Sequence, residues 1–164
     1  MSKILIILTV IFQLSFLSFS NVKFSSDSIS IHFPNIIIAS GNANFYNDEI
    51  NIDADHFFYN TNDLQGSFKR NVKIHYEKSI LSGEELFLNL KSKEISGKGN
   101  IILKTHGFNA TSDNLIIRDY KLAYLKDNVK IKRNGSQISS NELIYNLETD
   151  TIISTQRVKL KFEQ

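Results

Sequence analysis

Asp55, Glu84, Asp113 and Asn141 stand 29, 29 and 28 residues apart. Three carboxylates at so regular a spacing could act as a calcium-type site or as an acidic pair. Neither chemistry is well served here. Acids stacked along a ladder repel one another, and no oxygen-rich Gly-Asp loop accompanies them. They read instead as solvated residues at bends in strands. Asp53 and Asp55 are two apart and so share one face of a strand, yet nothing around them suggests a raised pKa or a sugar cleft. His32, His56, His75 and His106 have no metal-ligand spacing, and His75 holds the repeat position that Lys104 and Lys132 hold elsewhere. These histidines read as surface residues. The chain has no cysteine, which removes disulfides and thiolate metal sites. It carries no nucleophile elbow, phosphate loop or dinucleotide fingerprint. A parallel β-helix polysaccharide lyase would need more turns and a cluster of basic and acidic residues on one face. Lysines recur without interleaved aromatics, so nucleic acid is not expected as a partner. Neither enzymatic activity nor a cofactor or metal is expected.

What positions these residues is a repeat. Asn71-Val72-Lys73-Ile74-His75 returns as Asn100-Ile101-Ile102-Leu103-Lys104, as Asn128-Val129-Lys130-Ile131-Lys132 and, more loosely, as Arg157-Val158-Lys159-Leu160-Lys161. A weaker copy is Asn42-Ala43-Asn44-Phe45-Tyr46, and the steps from it are 29, 29, 28 and 29 residues. A fixed period of this size marks a repeat architecture. Apolar residues two apart with polar ones between them mark half-buried strands. Second strands repeat likewise at Phe57-Phe58-Tyr59, Leu86-Phe87-Leu88, Leu115-Ile116-Ile117 and Leu143-Ile144-Tyr145.

Turn chemistry separates the strands. Asn47-Asp48, Asn60 to Asp63, Glu77-Lys78, Lys91-Ser92-Lys93, His106-Gly107, Asp119-Tyr120-Lys121, Asn134-Gly135 and Glu148-Thr149-Asp150 fall between alternating runs. Pro34 ends a first extended segment through Ile29, Ile31 and Phe33. Within the second strands, Ala54-Asp55, Gly83-Glu84, Ser112-Asp113 and Ser140-Asn141 pair a small residue with a polar one, which allows a sharp bend. The first strands have soft spots at Ser40-Gly41, Gly66-Ser67 and Gly97-Lys98-Gly99, and Asn71, Asn100 and Asn128 suit a left-handed backbone at a crease. The expected fold is all-β: about ten antiparallel strands creased near the middle, so that one sheet folds into two facing leaves. Stacked at roughly 4.8 Å, they would make a body of roughly 45 Å. Apolar columns face inward, and Lys73, Lys130 and Lys159 point outward.

Composition agrees with one domain of this kind. The 164 residues are 41% hydrophobic with a formal charge of +2, so no bulk pull toward polyanions follows. Lys3 precedes an apolar run from Ile4 to Phe12, extended to Phe19, and Ser18-Phe19-Ser20 offers small residues to a signal peptidase. Residues 1–20 thus read as a cleaved secretory signal and 21–164 as the domain. An uncleaved anchor is the alternative, although a membrane helix wants about 20 apolar residues.

The recurring Asn-Val-x-Ile strand, the polar-small-acidic-Leu-x-Tyr strand after it, the period near 29 and the signal peptide resemble the OstA-like domain, the periplasmic lipopolysaccharide-transport family of LptA and LptC. The resemblance covers about residues 36–162. It implies an open, curved β-jelly-roll whose interior cradles the acyl chains of lipid A. It also implies end-to-end docking through edge strands, which would join inner- and outer-membrane components of the transport system or copies of the chain head to tail. The short leader favours the soluble LptA-like member. The anchored LptC-like member remains open, as does a secreted structural or adhesive β-solenoid with a packed interior.

On this resemblance, Phe45, Phe57, Tyr59, Ile74, Tyr76, Leu88, Leu103, Ile117, Ile131, Tyr145 and Leu160 line a groove that stays open to a lipid. The alternative is that they fill an ordinary core. An uncovered end strand is a template for another strand. Here that strand is expected over Ile152 to Phe162, with Ile152, Val158, Leu160 and Phe162 at the partner edge. Its Lys159 and Lys161 could equally guard against aggregation.

Overall fold

The computed structural model describes residues 22–133, 135–153 and 158–162. The expected signal peptide, residues 1–20, lies outside them. Every regular element among the described residues is a β-strand, and the strands form one antiparallel sheet. The long strands are β3 (Ile36–Tyr46), β4 (Ile50–Asn60), β5 (Gln65–Tyr76), β6 (Ser79–Asn89), β7 (Glu94–Lys104), β8 (Asn109–Arg118), β9 (Leu122–Arg133) and β10 (Ser136–Asn146). Each pairs with the next in chain order, as short turns require. At the first edge, β1 (Lys23–Ser25) and β2 (Ser28–His32) both pair with β3, one on each half of it. At the last edge, β11 (Thr151–Ile153) and β12 (Lys159–Phe162) both pair with β10 in the same way. The expected single strand from Ile152 to Phe162 is thus two short ones. Residues 154–157 lie outside the described set.

The crease is a row of bulges. Pairing slips between Ser40 and Ala43, Asp53 and His56, Lys69 and Val72, Ser82 and Glu85, Lys98 and Ile101, Thr111 and Asn114, and Ser140 and Glu142. In β3, β5, β7 and β9 the slip coincides with two consecutive residues of positive φ: Gly41-Asn42, Arg70-Asn71, Gly99-Asn100 and Asp127-Asn128. Left-handed backbone costs an ordinary L-residue about 1–2 kcal/mol, which Asn reduces through local hydrogen bonding. The asparagines find their partners on the preceding strand. The Asn71 amide donates to Asp55 at 2.9 Å and the Asn128 amide to Asp113 at 2.6 Å, while Asn100 donates to Glu84. At the first edge Asn42 donates to Asp27 at 2.9 Å. The acids at repeat spacing are therefore the acceptors that hold the bend.

One soft spot lies elsewhere than expected. β5 bends at Arg70-Asn71, where Asn71 is expected at a crease, and not at Gly66-Ser67. Gly66 lies where a Cβ would press on the rings of Phe68 and Tyr59, so its bare backbone makes room for two aromatics. At Gly97 a side chain would collide with Leu86 and Ile101.

Two leaves result. One holds the halves of the strands that reach the turns at 33–35, 61–64, 90–93, 119–121 and 147–150. The other holds the halves that reach the turns at 47–49, 77–78 and 105–108. On the first leaf the turns bond to one another: Thr61 N–H to Asn35, Leu90 N–H to Leu64, Tyr120 N–H to Lys93 and Leu147 N–H to Lys121. Asn60, Asn89 and Asn146 each accept two backbone N–H groups of their own turn.

Candidate functional site

The inner face of the second leaf carries one unbroken apolar row across ten strands. Phe24 pairs with Phe45, then in turn come Ile52, Ile74, Leu81, Leu103, Ala110, Ile131, Ile138 and Leu160. On the first leaf the facing row runs Ile29, Ala39, Phe57, Phe68, Leu86, Gly97, Leu115, Leu125 and Leu143. Nearer the turns lies a third row of Ile37, Tyr59, Gly66, Leu88, Ile95, Ile117, Ala123, Tyr145 and Ile152. These rows follow from alternation alone, because each strand turns every second residue inward.

Of the residues expected to line a groove, Phe45, Phe57, Tyr59, Ile74, Leu88, Leu103, Ile117, Ile131 and Tyr145 are all buried. Tyr76 is half-buried at the end of β5. Leu160 continues the inner row but is 61% exposed, since among the described residues no strand lies beyond β12 to cover it. Of the expected edge residues, Ile152 and Val158 are half-buried and pack against the core. Phe162 pairs with Ser136 at the end of β12. Lys73, Lys130 and Lys159 are exposed, as are the four histidines.

Sequence reasoning missed the first halves of the odd strands. Ala39, Phe68, Gly97 and Leu125 recur at 29, 29 and 28 residues, so the same period could have found them. Their mixed sizes hid the column. It also missed Phe24, which begins the inner row at the first edge, and Phe108 and Tyr120, which lie at the mouth.

In this state the two leaves touch. Phe24 lies 5.5 Å from Tyr59 and 5.6 Å from Phe57, and Phe45 lies 5.1 Å from Tyr59 and 5.6 Å from Phe68, ring centre to ring centre. These facing rings fill the interior at the end near the first edge. Contacts also cross the mouth, where the two sets of turns meet. Glu49 faces Lys93 at 3.9 Å, Tyr76 packs at a tilt against Tyr120 at 5.0 Å, Phe108 likewise against Tyr145 at 4.1 Å, and Arg133 holds Asp150 at 2.9 Å. Both ion pairs are about half exposed, and such pairs contribute about 0–1 kcal/mol each.

Burial pushes the phenols of the mouth upward: Tyr59 to about 12, and Tyr76, with the Glu77 carboxylate adding to the effect, also to about 12. Tyr120 and Tyr145 rise for the same first reason, Tyr145 helped by its bond to Asp150. On the outer face Glu85 bridges Lys98 at 2.8 Å and Lys69 at 2.9 Å, and those hydrogen bonds lower its pKa. None of these groups is poised as an acid or base near neutrality.

Residues 51–151 match the model of a family described as the LptA/(LptD N-terminal domain) LPS transport protein. The chain belongs to this family. The matched stretch runs from β4 into β11 and includes three of the four mouth contacts, those of Tyr76, Phe108 and Arg133. Among solved structures the fold is similar to that of LptH from Pseudomonas aeruginosa, described as the LptA homologous periplasmic component of the conserved lipopolysaccharide transport device. The TM-score is 0.64 at 12% identity, over 70% of this chain and 95% of that one. A search of curated proteins found no match. The family is one of lipopolysaccharide transport and not of catalysis, and the antiparallel all-β sheet described above is similar in fold to LptH.

Proposed function

We propose that this chain is a periplasmic lipopolysaccharide carrier that takes the acyl chains of lipid A between its leaves and passes them to its neighbours through its edge strands. The observation that carries this reading is the inner row from Phe24 to Leu160, which runs without interruption from one sheet edge to the other. Such a track offers a hydrocarbon chain the same surface at every strand. Each CH₂ moved from water onto it gains about 0.8 kcal/mol, so several acyl chains outweigh the cost of parting the mouth. Sliding along equivalent positions changes that energy little, which suits transport better than storage.

The crease is the natural pivot. Bulges interrupt the ladder there, so the leaves can rotate without breaking strand pairs elsewhere. The weak mouth contacts then separate first.

The edges fit a head-to-tail arrangement. Residues 22–64 carry Lys23 against Asp27, Asp48, Glu49, Asp53, Asp55 and Asp63. Residues 122–162 carry seven Lys and Arg against four acids. An acidic first edge and a basic last edge steer unlike ends together. Export by a cleaved signal fits the leader, and the intact mass of the exported protein tests it: retention of residues 1–20 would favour an anchored, LptC-like role.

The carrier reading is tested by locking the mouth. The chain contains no cysteine, so Glu49→Cys with Lys93→Cys creates a unique pair for a short bifunctional thiol reagent. Cross-linked protein is expected to lose lipopolysaccharide uptake and to regain it with a cleavable linker once cut. Uptake unchanged by the lock would contradict loading through the mouth.

A further inference from the structure

Four tyrosines surround the mouth, and they fall into two kinds. The Tyr76 hydroxyl donates to Glu77 at 3.1 Å, and the Tyr145 hydroxyl donates to Asp150. Tyr59 and Tyr120 differ. They are 1% and 5% exposed, and neither phenol oxygen has a hydrogen-bond partner among the described residues. Buried hydroxyls in folded proteins are nearly always paired, because an unpaired one forfeits its bonds to water. Phenylalanine would fill the same space without that penalty, and the chain uses it beside Tyr59 at Phe45 and Phe24. Packing alone would be served as well by phenylalanine, so the two hydroxyls call for an acceptor.

Their position says what they could meet. Tyr59 is the last inward residue of β4 before the turn, and Tyr120 lies on the turn between β8 and β9. Tyr59 packs on Phe24 and Phe45 of the apolar interior and Tyr120 on Tyr76 at the mouth, where Glu49, Lys93, Arg133 and Asp150 supply the charged groups. An amphipathic lipid has the same boundary, at the ester and amide linkages that join its acyl chains to a polar head. Glu49 lies close enough to act on the Tyr120 phenol, and so does Tyr59. An anion such as phosphate would lose its hydration in so buried a place, and Glu49, though faced by Lys93, repels it beside Tyr120, which leaves a neutral carbonyl oxygen as the fitting acceptor.

We propose that the Tyr59 and Tyr120 hydroxyls are a carbonyl-binding site at the mouth, donating hydrogen bonds to the ester or amide linkages of a multiply acylated lipid whose chains occupy the interior. The proposal rests on the carrier reading and adds to it the depth at which the lipid sits. Donors at a fixed level hold the linkages at the rim, while the chains gain their energy from the rows below. A neutral hydrogen bond of this kind is worth a factor of about two to ten in affinity.

The test is Tyr59→Phe, Tyr120→Phe and the double variant, with two probes: purified lipid A, and N-phenyl-1-naphthylamine, an apolar fluorophore with no carbonyl. The variants are expected to melt at the same temperature as the unmodified protein or higher, since each loses an unpaired polar group and keeps its ring. Lipid A should bind about two- to tenfold more weakly to each single variant and more weakly still to the double one, with fluorophore binding unchanged. Lipid A affinity within twofold in the double variant would overturn the carbonyl site and leave the carrier reading standing. Lower melting, or equal loss of both probes, would assign the hydroxyls to structure and overturn the site. Failure of the unmodified protein to bind lipid A would overturn both.

Discussion

At Asn100 the backbone takes φ of 49° and the side chain bonds to Glu84 on the strand before it. Both features have a cost when removed. Asn100→Ala loses the bond and places a Cβ residue without local compensation in left-handed backbone, so it should destabilise the fold by about 1–2 kcal/mol. Asn100→Gly keeps the backbone freedom and should cost less. Urea denaturation of the two variants checks the order, and an Ala variant as stable as the Gly variant would contradict it. In the interior, Leu103 is fully buried on the long inner row, and Leu103→Ala should cost about 2–5 kcal/mol in the same assay. The tyrosines set the alkaline limit. In the folded chain burial pushes Tyr59 and Tyr76 up to about 12, from the ordinary value near 10 that holds in the unfolded chain. Their contribution is whole below pH 10 and is lost as pH rises from 10 to 12, because the unfolded chain ionises first. Stability measured across that window should fall, and Tyr59→Phe should lessen the fall. For Glu85 the sign reverses: its lowered pKa adds stability above the ordinary glutamate range that is lost on acidification through the folded value.

At the scale of elements, much of the strand pattern was readable in advance. Ala54-Asp55, Gly83-Glu84, Ser112-Asp113 and Ser140-Asn141 all lie where their strands bend, because a small residue beside a hydrogen-bonding one suits a bulge. The odd strands were harder. Gly66 looked like a hinge and is a space-maker, whereas the bend at Arg70 has a residue type that announces nothing. A glycine can mark a turn or a close approach, and the sequence does not separate the two. The mouth contacts were also hidden, since Arg133 and Tyr76 end strands of one leaf while Asp150 and Tyr120 lie in turns of the other, and these meet only after the sheet has folded over. What the repeat did reveal was the inward side of each strand, which alternation fixes without regard to the final curvature. Gly97 offers a check on the close approach: Gly97→Ala should cost about 1–3 kcal/mol by crowding Leu86 and Ile101. A neutral outcome would mean that the leaf has slack at that row.

For the whole molecule, charge and shape act along the same axis. The acidic first edge and the basic last edge lie at opposite ends of one stack of strands. Association driven by that polarity should weaken as salt screens it, and Lys159→Glu with Lys161→Glu should shift light scattering toward monomer. Scattering that ignores both salt and these substitutions would point to pairing by backbone alone. The inner row is the feature on which the carrier role stands. A photo-reactive side chain at Leu103 samples the interior, and one at the neighbouring Lys104 samples the outer face of the same strand. Irradiation in the presence of lipopolysaccharide is expected to give a lipid adduct from Leu103 and none from Lys104. No adduct at Leu103, or equal adducts at both positions, would contradict a lipid path between the leaves.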